Sequence, residues 1–265
     1  ANVTLITLLD PGDEVIILSP FFGEYVFYIR NHNGVAVIVP TDEKFQLDVA
    51  AIESAVTPRT RAIIINSPNN PSGAVYPSEQ LAALGDMLVQ KQKELDSEIF
   101  ILSDEPYRRI IYDDQVYPQV FPHYENTIVL NSHAKDLGLP GERIGHIAVS
   151  PAYANRKELL DGLIFCNRSL GFVNAPALMQ HVVRALQGIS VDVSDYQRKR
   201  DFLCSQLTEM GYSLVKPQGA FYLFPKSPLE DDAAFVEALQ EWNVLTVPGK
   251  GFGTPGHFRI SYCLE

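Results

Sequence analysis

Six short apolar runs frame the first 150 residues: Val15–Leu18, Val35–Val39, Ala62–Ile65, Ile99–Leu102, Thr127–Leu130 and Ile144–Val149. They are rich in β-branched residues and mostly lack the polar alternation of a half-exposed strand, which predicts strands buried on both faces. Between them lie stretches with apolar residues three and four positions apart. In and just beyond Ser78–Glu94, for example, Leu81, Leu84, Leu88 and Leu95 share one helical face, and Ser78 behind Pro77 is the expected N-cap. Strands alternating with helices predict a doubly wound, largely parallel sheet covered on both faces, whose ligands collect beyond the carboxyl ends of the strands.

Past about residue 150 the pattern changes. A helical region carrying Leu159, Leu160, Leu163, Met179, Val182 and Val183 runs to roughly Leu186, and Tyr196–Met210 reads as another helix. Tyr212–Val215, Ala220–Phe224, Val244–Val247 and Phe258–Tyr262 then read as strands around a helix at Asp231–Glu241, an α+β module. The expected division is a large domain over 1–190 and a small one over 191–265.

Composition narrows the function classes. With 21 Lys+Arg against 32 Asp+Glu the net charge is −11, and no long basic run is present, so nucleic acid is not an expected partner. No apolar run approaches the roughly 20 residues of a membrane-spanning helix. An anionic ligand must then be held by a few placed cations and not by the overall field. Cys166, Cys204 and Cys263 are sparse, odd in number and without metal-ligand spacing, which fits small buried hydrophobes in a reducing cytoplasm. The histidines show no metal spacing either. The chain starts at Ala1 with no signal peptide, inside an expected helix, and the final Leu264-Glu265 has the look of an expression scar and is left out of the fold reasoning.

Three predicted strand ends carry unusual polar clusters: Asn66-Ser67-Pro68-Asn69-Asn70-Pro71-Ser72-Gly73, Ser103-Asp104-Glu105-Pro106-Tyr107 and Asn131-Ser132-His133-Ala134-Lys135. Each alone has an ordinary reading. The first is a turn-rich loop, Asp104 a helix cap, Lys135 a solvated lysine, and Arg143 and Arg259 ion-pair partners. Their order along one chain changes that balance. Asn70-Pro71-Ser72-Gly73, Asp104-Glu105-Pro106-Tyr107, Ser132-His133-Ala134-Lys135, Gly141-Glu142-Arg143-Ile144-Gly145 and Phe258-Arg259-Ile260-Ser261-Tyr262 resemble, in sequence and order, the motifs of fold type I pyridoxal-phosphate-dependent aminotransferases of the aspartate aminotransferase class. The family usually has Thr at the place of Ser72. Asp10-Pro11-Gly12-Asp13-Glu14-Val15, Gly219-Ala220-Phe221-Tyr222 and Val247-Pro248-Gly249 are also similar, so the resemblance runs from about residue 8 to 262.

The resemblance implies a three-layer αβα large domain with a mostly parallel sheet, a small α+β domain, and pyridoxal phosphate as cofactor. It implies transfer of an amino group from an α-amino acid to a 2-oxo acid. Lys135 would hold the cofactor as a Schiff base and, once freed, shuttle a proton at the substrate Cα. Asp104 would keep the pyridine nitrogen protonated, and Tyr107 with Asn70 would hydrogen-bond the ring oxygen. Ser132 and Arg143 would hold the phosphate, Phe22 would lie against the ring, and Arg259 would grip the substrate α-carboxylate. A homodimer is implied too, with Asn174 facing the neighbouring subunit's cofactor phosphate and Arg168 a weaker candidate for a second substrate carboxylate.

The chain departs from the family pattern at both ends. The Gly-rich phosphate turn expected before the first helix and the last small-domain helix are missing, which reads as a piece of a longer enzyme whose own activity is in question. The alternatives are another reaction on the same cofactor, of the C–S β-lyase or aminocyclopropane-carboxylate synthase type, and a non-catalytic regulatory module built on the same fold.

Overall fold

A computed structural model describes residues 1–263. The chain runs α1 (Asn2–Leu8), β1 (Glu14–Ser19), α2 (Glu24–Arg30), β2 (Val35–Pro40), α3 (Val49–Ala55), β3 (Thr60–Asn66), α4 (Ser78–Leu95), β4 (Phe100–Asp104), β5 (Thr127–Ser132), α5 (His133–Asp136), β6 (Gly145–Val149), α6 (Arg156–Ser169) and α7 (Ala177–Ala185). It continues through α8 (Val193–Glu209), β7 (Tyr222–Leu223), α9 (Asp232–Gln240), β8 (Val247–Pro248) and β9 (Phe258–Ser261).

The first six strands form one sheet in the order β2-β1-β3-β4-β5-β6. All neighbours are parallel except β6, which runs antiparallel to β5. The two-residue period of a strand sorts its apolar residues to opposite faces. Val15, Ile17, Ile64, Leu102, Ile128 and Leu130 face a core completed by α1, α2 and α6, whereas Ile16, Leu18, Ile63, Ile65 and Ile101 face one completed by α3 and α4. This two-sided burial is why the runs read as continuous apolar segments. The chain passes from β1 outward to β2 and then returns to β3 on the other side of β1, so a topological switch point lies between β1 and β3. Phe22 follows β1 and Asn70 follows β3, one on each side of it.

The last three strands form a small antiparallel sheet in the order β7-β9-β8. Its core draws on both parts of the chain: Tyr107, Ile110 and Tyr112, which follow β4, pack with Cys204, Phe221 and Tyr222, and with Tyr196 and Leu203 of α8. The fully buried Arg200 of α8 fastens the same segment, donating to both carboxylate oxygens of Asp113 at 2.8 Å and lying 4.5 Å over the Tyr112 ring. This packing sets the small sheet against the carboxyl edge of the large one. Helix α7 ends at Ala185 and α8 begins at Val193.

Several expectations are corrected. Ser78 is the first helical residue of α4; the extended Pro77 takes the cap position and no side chain caps the end. Leu95 is only half-buried, because α4 ends there and Asp96 turns left-handed. The helical region up to Leu186 is two helices, separated by a segment in which Gly171 and Val173 take positive φ. Tyr212–Val215 forms no strand: Ser213 makes one backbone bond, from Lys226 at 2.8 Å, and Tyr212 serves as packing against Phe235 and Phe258. Of the cysteines only Cys204 is buried; Cys166 and Cys263 are partly open. Among the described residues no helix is long and apolar enough to cross a membrane.

Candidate active site

Four of the predicted residues surround a cavity of about 570 Å³ at the carboxyl edge of the sheet: Phe22, Asp104, Ser132 and Arg143. Asp104 is the last residue of β4, and Ser132 the last of β5, so each side chain emerges where its strand stops. Asp104 is deeply surrounded by protein yet keeps part of its surface open. Burial pushes its carboxyl above the ordinary carboxylate range, while a hydrogen bond from Tyr25 pulls the other way. Ser132 caps the short helix that carries Lys135, its Oγ accepting from Ala134 N at 3.1 Å. Arg143 sits in a left-handed turn with φ 51 and donates from Nη1 to the Pro140 carbonyl at 2.8 Å, which leaves most of the guanidinium open to the cavity. Phe22 is fixed edge-on to Tyr25, with ring centroids 5.6 Å apart.

The other four predicted residues form an adjoining cluster that does not line that cavity. Asn70 is buried in the loop after β3, where its N–H donates to Asn66 Oδ1 at 2.8 Å and its own Oδ1 accepts from Arg259 Nη1 at 2.9 Å. The Asn66 amide in turn donates to the Asp104 carbonyl at 2.9 Å, which ties the loop to the end of β4. Arg259, on the central strand β9, lies between the Tyr222 and Phe252 rings at 4.6 and 4.8 Å. Its Nε is buried with no partner, and among the described residues no carboxylate pairs with it. A desolvated guanidinium held only by an amide oxygen and two aromatic faces is set up to receive a carboxylate.

Lys135 Nζ is half-buried, 5.6 Å from the Phe221 ring and 5.9 Å from that of Tyr107. Burial lowers its pKa from the ordinary lysine value; Arg259 and Arg143 add to that, against an opposing influence of Cys263. The neighbouring cations therefore contribute less than desolvation does. Tyr107 is buried, and its hydroxyl lies 2.8 Å from that of Tyr222.

Two contributors went unnoticed in the sequence. Tyr25 donates its hydroxyl to Asp104 Oδ2 from a fully enclosed position on α2. Its signal was its place three residues after Phe22, one helical turn along. Tyr222 was visible only as part of a flanking phrase. A second cavity of about 610 Å³, between Asp42, Phe45, Lys226 and His257, contains none of the predicted residues.

This fold, with a lysine, a carboxylate and an arginine converging on the carboxyl edge of a mostly parallel sheet, is that of the class I and II aminotransferases. The model of that family matches residues 1–265, and the chain belongs to it. It is 36% identical to the aspartate/prephenate aminotransferase of Thermus thermophilus over 96% of the chain and 66% of that protein. It is 32% identical to the aspartate aminotransferase of Bacillus subtilis over 96% of the chain and 67% of that protein. Among solved structures, an amino transferase from Eubacterium rectale superposes with a TM-score of 0.96 at 43% identity, covering 100% of this chain and 67% of the other. The aspartate aminotransferase of Thermotoga maritima does so with 0.85 at 30% identity, covering 100% and 68%. The chain thus spans about 66% of the length of the first curated relatives it matches.

Proposed function

We propose that this chain is the catalytic core of a pyridoxal-phosphate-dependent aminotransferase acting on an α-amino acid and a 2-oxo acid. The observation that carries the reading is Arg259, a half-buried cation whose enclosed Nε has no partner and which, among the described residues, has no carboxylate, beside a lysine whose pKa is lowered. The donor set fits the cofactor: a buried carboxyl for a ring nitrogen, an aromatic face at Phe22, hydroxyl and amide groups on Tyr107 and Asn70, and Ser132 with the open guanidinium of Arg143 for a phosphate. Pyridoxal phosphate, when bound, supplies an electron sink for the substrate Cα.

The protein's own residues do the rest. Lys135 holds the group covalently and, when released, moves a proton at the substrate Cα; its lowered pKa keeps more of the amine unprotonated near neutral pH. Asp104 holds a proton at the ring nitrogen, and Tyr25 fixes the direction of that carboxyl. Arg259, aimed by Asn70, binds the α-carboxylate through a planar fork.

A homodimer belongs to this reading. Leu160, Ile164, Phe165, Phe172 and Leu178 on and between α6 and α7 leave a large apolar surface exposed, with Arg168 and Asn174 exposed beside it. The names of the relatives put aspartate and prephenate first in a substrate screen.

The test is borohydride reduction after incubation with pyridoxal phosphate, read by peptide mass spectrometry. A pyridoxyl group confined to the Lys135 peptide, and lost in Lys135→Ala, is the expected result. An adduct elsewhere, or none in the protein carrying this chain, overturns the reading. Ammonia release in place of amino transfer to an added 2-oxo acid would move the reaction to the lyase type.

A further inference from the structure

Tyr222 joins the two halves of the site. It stands on β7 of the small sheet, whereas Tyr107 belongs to the segment after β4 of the large one, and their hydroxyls meet at 2.8 Å. The Tyr222 ring cannot swing away. Tyr107 packs against it at 5.7 Å and 82°, Phe221 at 4.9 Å, and the Arg259 guanidinium covers it at 4.6 Å. Both residues are almost fully enclosed, so water does not compete well for either hydroxyl. Either one can act as donor. If Tyr107 commits its proton to an acceptor on its other side, Tyr222 has to donate to the Tyr107 oxygen, and the two bonds then run in one direction and polarise each other.

We propose that Tyr222 is a positioning residue that acts through Tyr107, strengthening its donation to the cofactor's ring oxygen and thereby setting how readily the Lys135 linkage loses its proton. The inference rests on the cofactor reading above and deepens it. A better donor at Tyr107 stabilises the negative charge on the ring oxygen. A proton on the neighbouring linkage is then held less tightly, because less negative charge remains to attract it.

The groups that face this pair and the lysine are few: Asp104, with Tyr25 bonded to it, Arg259, Arg143, Cys263 and Glu24. None of them is altered by removing the Tyr222 oxygen, so Tyr222→Phe isolates the relay. Losing a mutual strengthening of about 10–30% in a charge-assisted bond corresponds to a rise of roughly 0.1–0.7 pH unit in the midpoint at which the linkage loses its proton.

The experiment is a pH titration, followed by visible absorbance, of the pyridoxal-phosphate-loaded protein in four forms: unaltered, Y222F, Y107F and the double variant. The expected result is an upward shift for Y222F that disappears when Y107F is already present. Catalytic activity need not be measured. An unchanged midpoint in Y222F, or a shift of equal size in the Y107F background, overturns the relay. A change confined to melting temperature also overturns it, since that is what a purely structural contact gives. If the unaltered protein forms no Lys135 adduct, the cofactor reading fails and this inference with it; an adduct present but insensitive to Y222F defeats the relay alone.

Discussion

The hydrogen bond from Tyr25 to Asp104 yields the sharpest prediction, because it separates a charged from a neutral contribution within one substitution. Tyr25→Phe removes one oxygen from an enclosed ring that keeps its packing against Phe22. When Asp104 is ionised, the lost bond is one to a charged acceptor, about 1.5–3 kcal/mol; when it is protonated, the lost bond is neutral, about 0.5–1.5 kcal/mol. Burial already holds the Asp104 carboxyl above its unfolded value, so ionised Asp104 costs the fold stability as pH rises through its folded pKa. Without Tyr25 that pKa rises further. The extra cost of Y25F is therefore small on the acid side and grows toward neutral pH, by about 1 kcal/mol between the two limits. Urea unfolding of both proteins without cofactor, near neutral pH and at the lowest pH where both remain folded, measures it directly. A destabilisation that is independent of pH, or larger in acid, refutes the assignment of Tyr25 as the donor to a buried carboxylate.

Three further outcomes follow from contacts already described. Arg259→Ala should raise KM for the amino acid by about 10²–10³-fold, the loss for truncating one partner of a buried charge pair, and Arg259→Lys should recover only part of it because the fork is gone; initial-rate kinetics on both variants decide. Arg200→Met should lower unfolding free energy by about 1–3 kcal/mol, below the usual figure for a buried pair because Asp113 is 43% exposed and can rehydrate. Arg200 holds the Asp113 pKa below its ordinary value, so this contribution is present above about pH 4 and lost as pH falls through the folded value; in R200M that acid-side dependence should flatten. Gly85→Ala tests sign. Helix propensity alone predicts a gain of about 1 kcal/mol, but the new Cβ would sit 2.2 Å from the His123 carbonyl oxygen, so thermal unfolding should show a net loss.

The large sheet was legible because its central strands, buried on both faces, leave dense apolar runs; all six strands occur within a residue or two of the expected places, although the edge strands β2 and β6 are partly open and β6 is antiparallel. The small domain was read less well, and for a physical reason. Its strands are two to four residues long and held by packing between aromatic side chains more than by ladders, so periodicity has little length over which to show itself. Tyr212–Val215 has the composition of a strand, but Tyr212 packs against Phe235 and Phe258, Leu214 and Val215 join other clusters, and the backbone stays largely unpaired. Helix ends failed in a similar way. Ser78 has the chemistry of a cap, yet the extended geometry at Pro77 moves the helix start forward by one residue.

In the candidate site, the legible residues are those carried by a contiguous motif at a strand end, and the missed ones act through a neighbour. Asp104, Ser132 and Lys135 stand within a few residues of an apolar run, so the rule about strand ends finds them. Tyr25 and Tyr222 are 79 and 115 residues from the side chains they bond, and only the folded chain brings them there. The same distinction separates what each can change. On the proposed reading, replacing Lys135, Asp104 or Arg259 deletes a function outright. Tyr25 and Tyr222 each make one hydrogen bond to a predicted site residue, Tyr25 to the Asp104 carboxyl and Tyr222 to the Tyr107 hydroxyl. The two contacts thus reach the site from different layers of the protein, Tyr25 from helix α2 packed on the large sheet and Tyr222 from strand β7 of the small one. A displacement of the small sheet would therefore alter the Tyr222 contact and leave the Tyr25 contact in place.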